Sequence, residues 1–258
     1  MSEHDLVGAK AAPANLEGQE KKASASWTHM AILAVMAGIF IAFGSIAYLI
    51  AQSVPSGVSG PTNLLSGLAF SVGLVLVMVA GAQLFTGNTM MLVPLTEGDL
   101  SPSRVAAAWT CVWLGNLAGS LLIVALLVIS GGLGDMDGAF RDAAVKVAEG
   151  KLGKGAFQLI AAGILANILV CLAVWMSAAA IDVTSKVLAI VGPVTVFVAA
   201  GFEHSIANMS LIPIGIAAGV PMDLGAVTYN LVLVTFGNIL GGAIVAFGLS
   251  YGHGAVDD

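Results

Sequence analysis

Charge is scarce in this chain of 258 residues. Nine Lys and Arg and 15 Asp and Glu make up 9% of it, where a soluble domain carries roughly 25%. An ordinary soluble domain is excluded, and no nucleic-acid partner is expected. Cysteine is nearly absent as well. Cys111 and Cys171 both lie inside apolar runs, which predicts buried free thiols in place of a disulfide or a metal site. No cleavable signal peptide is expected either: the first apolar run follows about 26 polar, Ala-rich residues and already has the length of a membrane span. The net charge of −6 carries little meaning, because Glu3, Asp5, Glu17, Glu20, Asp257 and Asp258 are terminal. What is abundant is apolar surface (58% hydrophobic residues) and glycine (32 residues). Together they specify a polytopic membrane protein with closely packed helices.

Six spans are predicted, at residues 27–51, 64–83 and onward, 102–129, 156–180, 186 onward, and 224–251. Residues 1–26 read as a polar N-terminal tail, 27–251 as the membrane body and 252–258 as a C-terminal tail. Two connections stand out, a Ser/Pro/Gly loop at 52–61 and a charged loop at 130–155. An even number of spans puts both termini on one side. An inside N-terminus places Lys10, Lys21, Lys22, Arg104 and Lys186 inside, and Arg141, Lys146, Lys151 and Lys154 outside.

Two spans do not run cleanly. The second continues through LFTGNTMMLVPL, where Thr86, Gly87 and Asn88 interrupt it before Pro94. The fifth contains VAAGFEHSIANMSLIP (198–213), with Glu203 beside His204 at bilayer depth. An ionisable side chain there costs about 2.5–3.5 kcal/mol on insertion scales and marks a functional site by default. Gly201 is the expected break and Ser205 the expected N-cap of a second half-helix. The plainer alternative is that Glu203 and His204 only satisfy backbone groups in a buried kink.

The two interruptions resemble each other. GAQLFTGN (81–88) matches GFEHSIAN (201–208), GNLAGS (115–120) matches GNILGG (237–242), and AGI at 37–39 recurs at 162–164, all in the same order. Two repeats of three spans must be inverted in the membrane, which sets paired broken helices face to face near the midplane. The expected fold is therefore all-α, with six transmembrane helices as two inverted three-helix repeats. Thr86 and Asn88 would face His204 and Asn208, with half-helix N–H groups favouring an anion or polarised solute.

His204 is the deep side chain that titrates near neutral pH without a large shift. One His and one Glu fall short of a zinc site, so neither metal nor cofactor is expected, nor is an enzyme. Protonating a passing weak-acid anion suits the histidine better, since it removes the cost of carrying charge through an apolar constriction. Glu203 would orient His204 or cap the broken backbone. Phe70 and Leu74, four apart on one helical face, read alone as packing. Lys151 and Lys154 would draw anions to one mouth, or simply belong to a solvated loop.

At GFEHSIANM and GAQLFTGNTM, supported by GILANILVCLAVWM (163–176) and the two GNxxG segments, the chain resembles the formate/nitrite transporter family of formate, nitrite and hydrosulfide channels. The resemblance implies an aquaporin-like homopentamer in the bilayer of a bacterial inner membrane, with one pore per protomer and cytoplasmic termini. It implies a central chamber lined by His204, Thr86 and Asn167. One constriction would be formed by Phe70, Leu74 and Phe197, and a cytoplasmic one by Leu84, Phe85 and Val170. Lys151 would sit in the periplasmic vestibule and Lys21 near the cytoplasmic mouth, with residues 1–26 as a pH-dependent gate. FSVGL (70–74) and NMSLIPIGI (208–216) favour formate; the short link at 216–224 and the TGNTM segment lean to nitrite, and Gln83 stands where an acid is common in that branch. Formate ranks first as substrate, nitrite second and hydrosulfide third, each moving with a proton. An aquaporin-type pore would want Asn-Pro-Ala at both half-helices, and an intramembrane enzyme would need a nucleophile or more ligands than Glu203 and His204 supply.

Overall fold

The computed structural model describes residues 11–54 and 59–256, all helices and connections. The first ten residues of the segment expected to gate the pore, and the last two of the C-terminal tail, lie outside the described residues. In chain order the helices are α1 (Ala11–Ser24), α2 (Trp27–Gln52), α3 (Ser59–Ala80), α4 (Phe85–Asn88), α5 (Leu92–Thr96), α6 (Pro102–Ile129), α7 (Ala139–Leu152), α8 (Ala156–Ala179), α9 (Val183–Ala199), α10 (Ser205–Ala218) and α11 (Leu224–Gly252). Five of them, α2, α3, α6, α8 and α11, are long and apolar enough to cross a membrane, and α9 and α10 are shorter apolar helices in tandem.

Local chemistry explains where these helices begin. Ser26 accepts a hydrogen bond from the His29 amide, Ser101 from Arg104, Asp182 from Ser185 and Asp223 from Ala226, each three residues ahead as an N-cap requires. Pro102 opens α6, where its missing N–H is no loss. Glycine then sets how closely the spans approach. A Cβ on Gly119 would run into the Val35 carbonyl of α2, and one on Gly241 into the Ile164 carbonyl of α8. These small-residue contacts lock α6 onto α2 and α11 onto α8.

Two segments differ from the sequence expectation. The charged stretch 130–155 is not a plain loop, because Ala139–Leu152 forms α7, which packs on α10 with Phe140, Ala144 and Ala148 buried. Within the polar tail, Ala11–Ser24 is helical and lies against the bundle. Ala11, Ala12 and Ala23 are buried, and the Asn15 amide reaches the Trp175 carbonyl of α8. The Arg104 guanidinium clamps the α1–α2 joint, donating to the carbonyls of Ala23 (2.6 Å) and Ala25 (2.7 Å) while lying 4.1 Å over the Trp27 ring. Burial holds the Lys22 ammonium below the usual lysine range.

Candidate functional site

Both interruptions begin at a glycine in the left-handed region, Gly81 with φ 75° and Gly201 with φ 70°, where a side chain would be strained. Three non-helical residues follow in each before helix resumes at Phe85 and Ser205. In each stretch a backbone amide bonds a neighbouring span: Gln83 to the Leu33 carbonyl (3.1 Å) and Glu203 to the Ala162 carbonyl (3.2 Å).

An asparagine holds each break in the same way. Asn116 Oδ1 accepts the Phe85 amide (2.9 Å), and its Nδ2 donates to the carbonyls of Ala34 (2.7 Å) and Gln83 (3.0 Å). Asn238 Oδ1 accepts the Ser205 amide (2.9 Å), and its Nδ2 donates to the carbonyls of Gly163 (2.8 Å) and Glu203 (3.0 Å). Neither was singled out beyond its GN motif, although an asparagine inside an apolar span signals a buried polar duty. These bonds also correct the register of the repeat. They align Leu33 and Ala34 with Ala162 and Gly163, four residues from the pairing of the two AGI triplets, or about one helical turn.

The two restarted helices meet side chain to side chain. Thr86 Oγ1 lies 2.9 Å from His204 Nε2, and His204 Nδ1 accepts the Ala207 amide at 3.1 Å. His204, not Ser205, is therefore the N-cap of α10. Its extended backbone turns the ring back over the first turn, and Ser205 is the first helical residue, its hydroxyl buried without a partner among the described residues. Because Nδ1 accepts, the proton of the neutral imidazole belongs on Nε2, facing Thr86. The half-helix amides of Phe85, Ser205 and Ala207 are thus committed to side chains, and the side chains that meet at the junction are the imidazole and the threonine hydroxyl.

Apolar rings close one side of this junction. Phe197 stacks on the His204 ring with centroids 5.8 Å apart, and Phe70 meets Phe197 edge-on, also at 5.8 Å. Leu74 is buried nearby in the same core. Between these rings, Tyr48 and Lys151 lies a cavity of about 40 Å³ that touches His204. Beyond it opens a vestibule of about 870 Å³, lined by Tyr48, Lys146, Lys151, Lys154 and Glu203 among others.

On the other side Leu84, Phe85 and Val170 are all buried, and the Phe85 ring packs edge-on to Trp109 at 5.8 Å. Asn167 is brought to the junction through the backbone, its Nδ2 donating to the Thr86 carbonyl (3.2 Å), to Thr89 Oγ1 (3.0 Å) and to the Asn238 carbonyl (2.5 Å). Cys171 is buried as a free thiol beside the same Thr86 carbonyl. Lys21 lines a separate cavity of about 550 Å³ with Lys22, His29, Gly81 and Gln83, next to the first break.

Glu203 is not joined to His204 through its carboxylate. Oε2 accepts from Lys151 (3.0 Å) and from Asn208 Nδ2 (2.8 Å), and Oε1 from Lys154 (2.6 Å). Asn208 also donates to Asn230 Oδ1 (2.8 Å), whose own Nδ2 holds the Lys151 carbonyl (3.0 Å). A closed ring of hydrogen bonds therefore ties α7, α10 and α11 to the break. Asn230, about two turns before Asn238 on α11, is another residue that sequence reasoning passed over. In the first break Asn88 makes the corresponding bond, donating to Gln83 Oε1 at 3.1 Å.

Apolar spans, two broken helices joined at an enclosed histidine, and a vestibule leading toward it define a membrane pore. The family model described as formate/nitrite transporter matches residues 9–252. The chain belongs to this family, whose members are transporters and channels. It is 37% identical over 239 residues to the formate channel FocA of Escherichia coli strain K12, covering 85% of this chain and 84% of that one. Among solved structures it resembles a pentameric formate channel with formate bound (TM-score 0.83, 33% identity, 90% of this chain and 98% of that one). It also resembles an FNT family ion channel (TM-score 0.84, 31% identity, 96% and 99%).

Proposed function

We propose that this protein is a channel for small monovalent weak-acid anions, formate first and nitrite or hydrosulfide next, in which His204 supplies a proton for passage. Each protomer of a homopentamer in the bacterial inner membrane would carry its own pore, with cytoplasmic termini and residues 1–26 over the inner mouth. The matching bonds of Asn116 and Asn238 support two inverted three-helix repeats in an aquaporin-like arrangement. The substrate ranking is supported by the formate channels among the relatives.

The observation that carries the reading is the Thr86–His204 contact, sealed behind Phe197 and Phe70. Carrying a bare ion past such rings is costly, and the positive charges of Lys151 before them and of a protonated His204 behind them offset that cost on entry. Entering past Lys151, the anion meets the Thr86 hydroxyl and the Nε2 proton. The proton-giving state is the imidazolium, and forming it costs the Ala207 cap, about 0.5–2 kcal/mol, plus desolvation. An anion in the chamber offsets both with its opposite charge, so proton and anion enter together. The Nε2–H bond then breaks as Thr86 Oγ1 takes that proton and passes its own to the anion. The neutral acid crosses the second constriction of Leu84, Phe85 and Val170 and ionises in water; the imidazole is left with its proton on Nδ1, and moving that proton to Nε2 frees Nδ1 to accept the Ala207 amide again. Asn167 holds the Thr86 backbone for this step, while Asn88 and Asn208 hold the two breaks through Gln83 and Glu203.

The test is uptake of formate, nitrite, hydrosulfide and chloride into proteoliposomes at about pH 5 and about pH 7.5, on either side of an unperturbed histidine. Weak-acid uptake that rises with acidity while chloride is refused supports the reading. Equal chloride and formate uptake at both pH values overturns it, leaving a simple anion pore with a structural histidine.

A further inference from the structure

Two lysines share the single carboxylate of Glu203, and they are not equivalent. Lys154 is held on two sides, at 2.6 Å from Glu203 Oε1 and 3.1 Å from the Gly201 carbonyl. Lys151 lies farther from the carboxylate, at 3.0 Å from Oε2, and Asn208 competes for that same oxygen. Lys151 also borders both the vestibule and the small cavity against Phe70, Phe197 and His204, whereas Lys154 borders the vestibule alone. With the carboxylate ionised, the charged groups among the described residues of the vestibule wall are Lys146, Lys151 and Lys154 against Asp142 and Glu203, three positive and two negative, for a net charge of +1.

We propose that Lys154 is a positioning residue that neutralises Glu203, so that the charge of Lys151 remains available to a substrate anion at the pore entrance. The inference rests on the anion-channel reading above. Glu203 is needed where it stands because it anchors Asn208 and, through it, the ring to Asn230. Such an anchor alone would cancel Lys151 and leave the entrance with no net attraction. A second lysine, in the connection between α7 and α8, separates the two duties. The carboxylate keeps its structural bonds, and the wall keeps a positive charge whose field draws anions to the open mouth.

The experiment compares Lys154→Gln, Lys154→Met and Lys154→Arg with the unaltered protein in proteoliposomes. Initial formate, nitrite and hydrosulfide fluxes are measured across substrate concentration at low salt and at about 1 M salt, where the screening length is about 3 Å. For either neutral variant the expected result is an apparent KM raised about threefold or more at low salt with kcat unchanged. The gap should close at high salt, and Lys154→Arg should restore the low KM. An unchanged KM at low salt overturns the inference, and so does a fall in kcat that high salt does not alter and arginine does not rescue. That second pattern would reduce Lys154 to a clamp on the Gly201 carbonyl. If the unaltered protein passes none of the three weak acids, the channel reading itself fails, which is a different outcome from unaltered flux in the variants.

Discussion

Replacing His204 by asparagine keeps an acceptor for the Ala207 amide, since asparagine is among the strongest N-caps, but removes the Nε2 proton. The substitution therefore separates the two duties of the residue. His204→Asn is expected to melt close to the unaltered protein and to lose weak-acid flux, while His204→Phe should lose flux and also about 0.5–2 kcal/mol of cap stability. Thermal unfolding in detergent and proteoliposome uptake check both, and weak-acid flux preserved in His204→Asn would remove the proton from the mechanism. Asn116→Ala and Asn238→Ala each strip three hydrogen bonds from a buried break. Both should lower stability by about 3 kcal/mol, with the two values similar because the bonds are the same. At this scale the sequence pointed to His204 and Glu203 but not to how they are wired. His204 stood out because an ionisable group in an apolar run is rare. The partners of Glu203 did not, because Lys151 and Lys154 lie about 50 residues upstream in a stretch that reads as a loop. The cap went to His204 and not Ser205 because imidazole Nδ1 can imitate a short polar side chain once the backbone is extended.

The helices that read most clearly from sequence begin at Ser26, Ser101 and Asp223 caps and run to lengths that only a bilayer explains. Helix α7 was hidden by its own charge and by the glycines at 131, 132, 134 and 138 before it, a pattern shared with surface loops. The AGI match slipped by one turn because Gly and Ala recur at helical spacing in packed spans, so short identities form readily in a wrong register. Hydrogen-bonded side chains, which tolerate no such slip, fixed it. Substituting Gly119 or Gly241 by alanine should push apart α2 and α6 or α8 and α11, lowering thermal stability more than alanine at Gly248, where space is open. For α1 the prediction concerns pH. Burial lowers the Lys22 pKa in the docked state, so between that value and the ordinary lysine value of about 10.4 the undocked state binds more protons. Docking therefore strengthens as pH rises through this window, and the penalty is fully present below it. Hydrogen exchange of α1 at rising pH should show increasing protection, and Lys22→Met should flatten that slope.

The most apolar stretches of the five long helices are only 33% to 50% buried within one chain. Leu64, Leu126, Phe157, Leu188 and Phe236 are exposed, which leaves a broad apolar belt for lipid or further copies of the chain. Light scattering of the detergent-solubilised protein is expected to give five chains per particle, and His204→Asn should not change that number. Across the whole molecule, the proposed mechanism couples each formate to one proton, because the anion leaves the chamber as a neutral acid made at His204. Its most direct test follows internal pH and formate uptake together in proteoliposomes whose membrane potential is clamped. The account predicts one proton carried in with each formate and a rate that does not respond to the potential. Formate uptake that follows the potential, with no matching acidification, would contradict it.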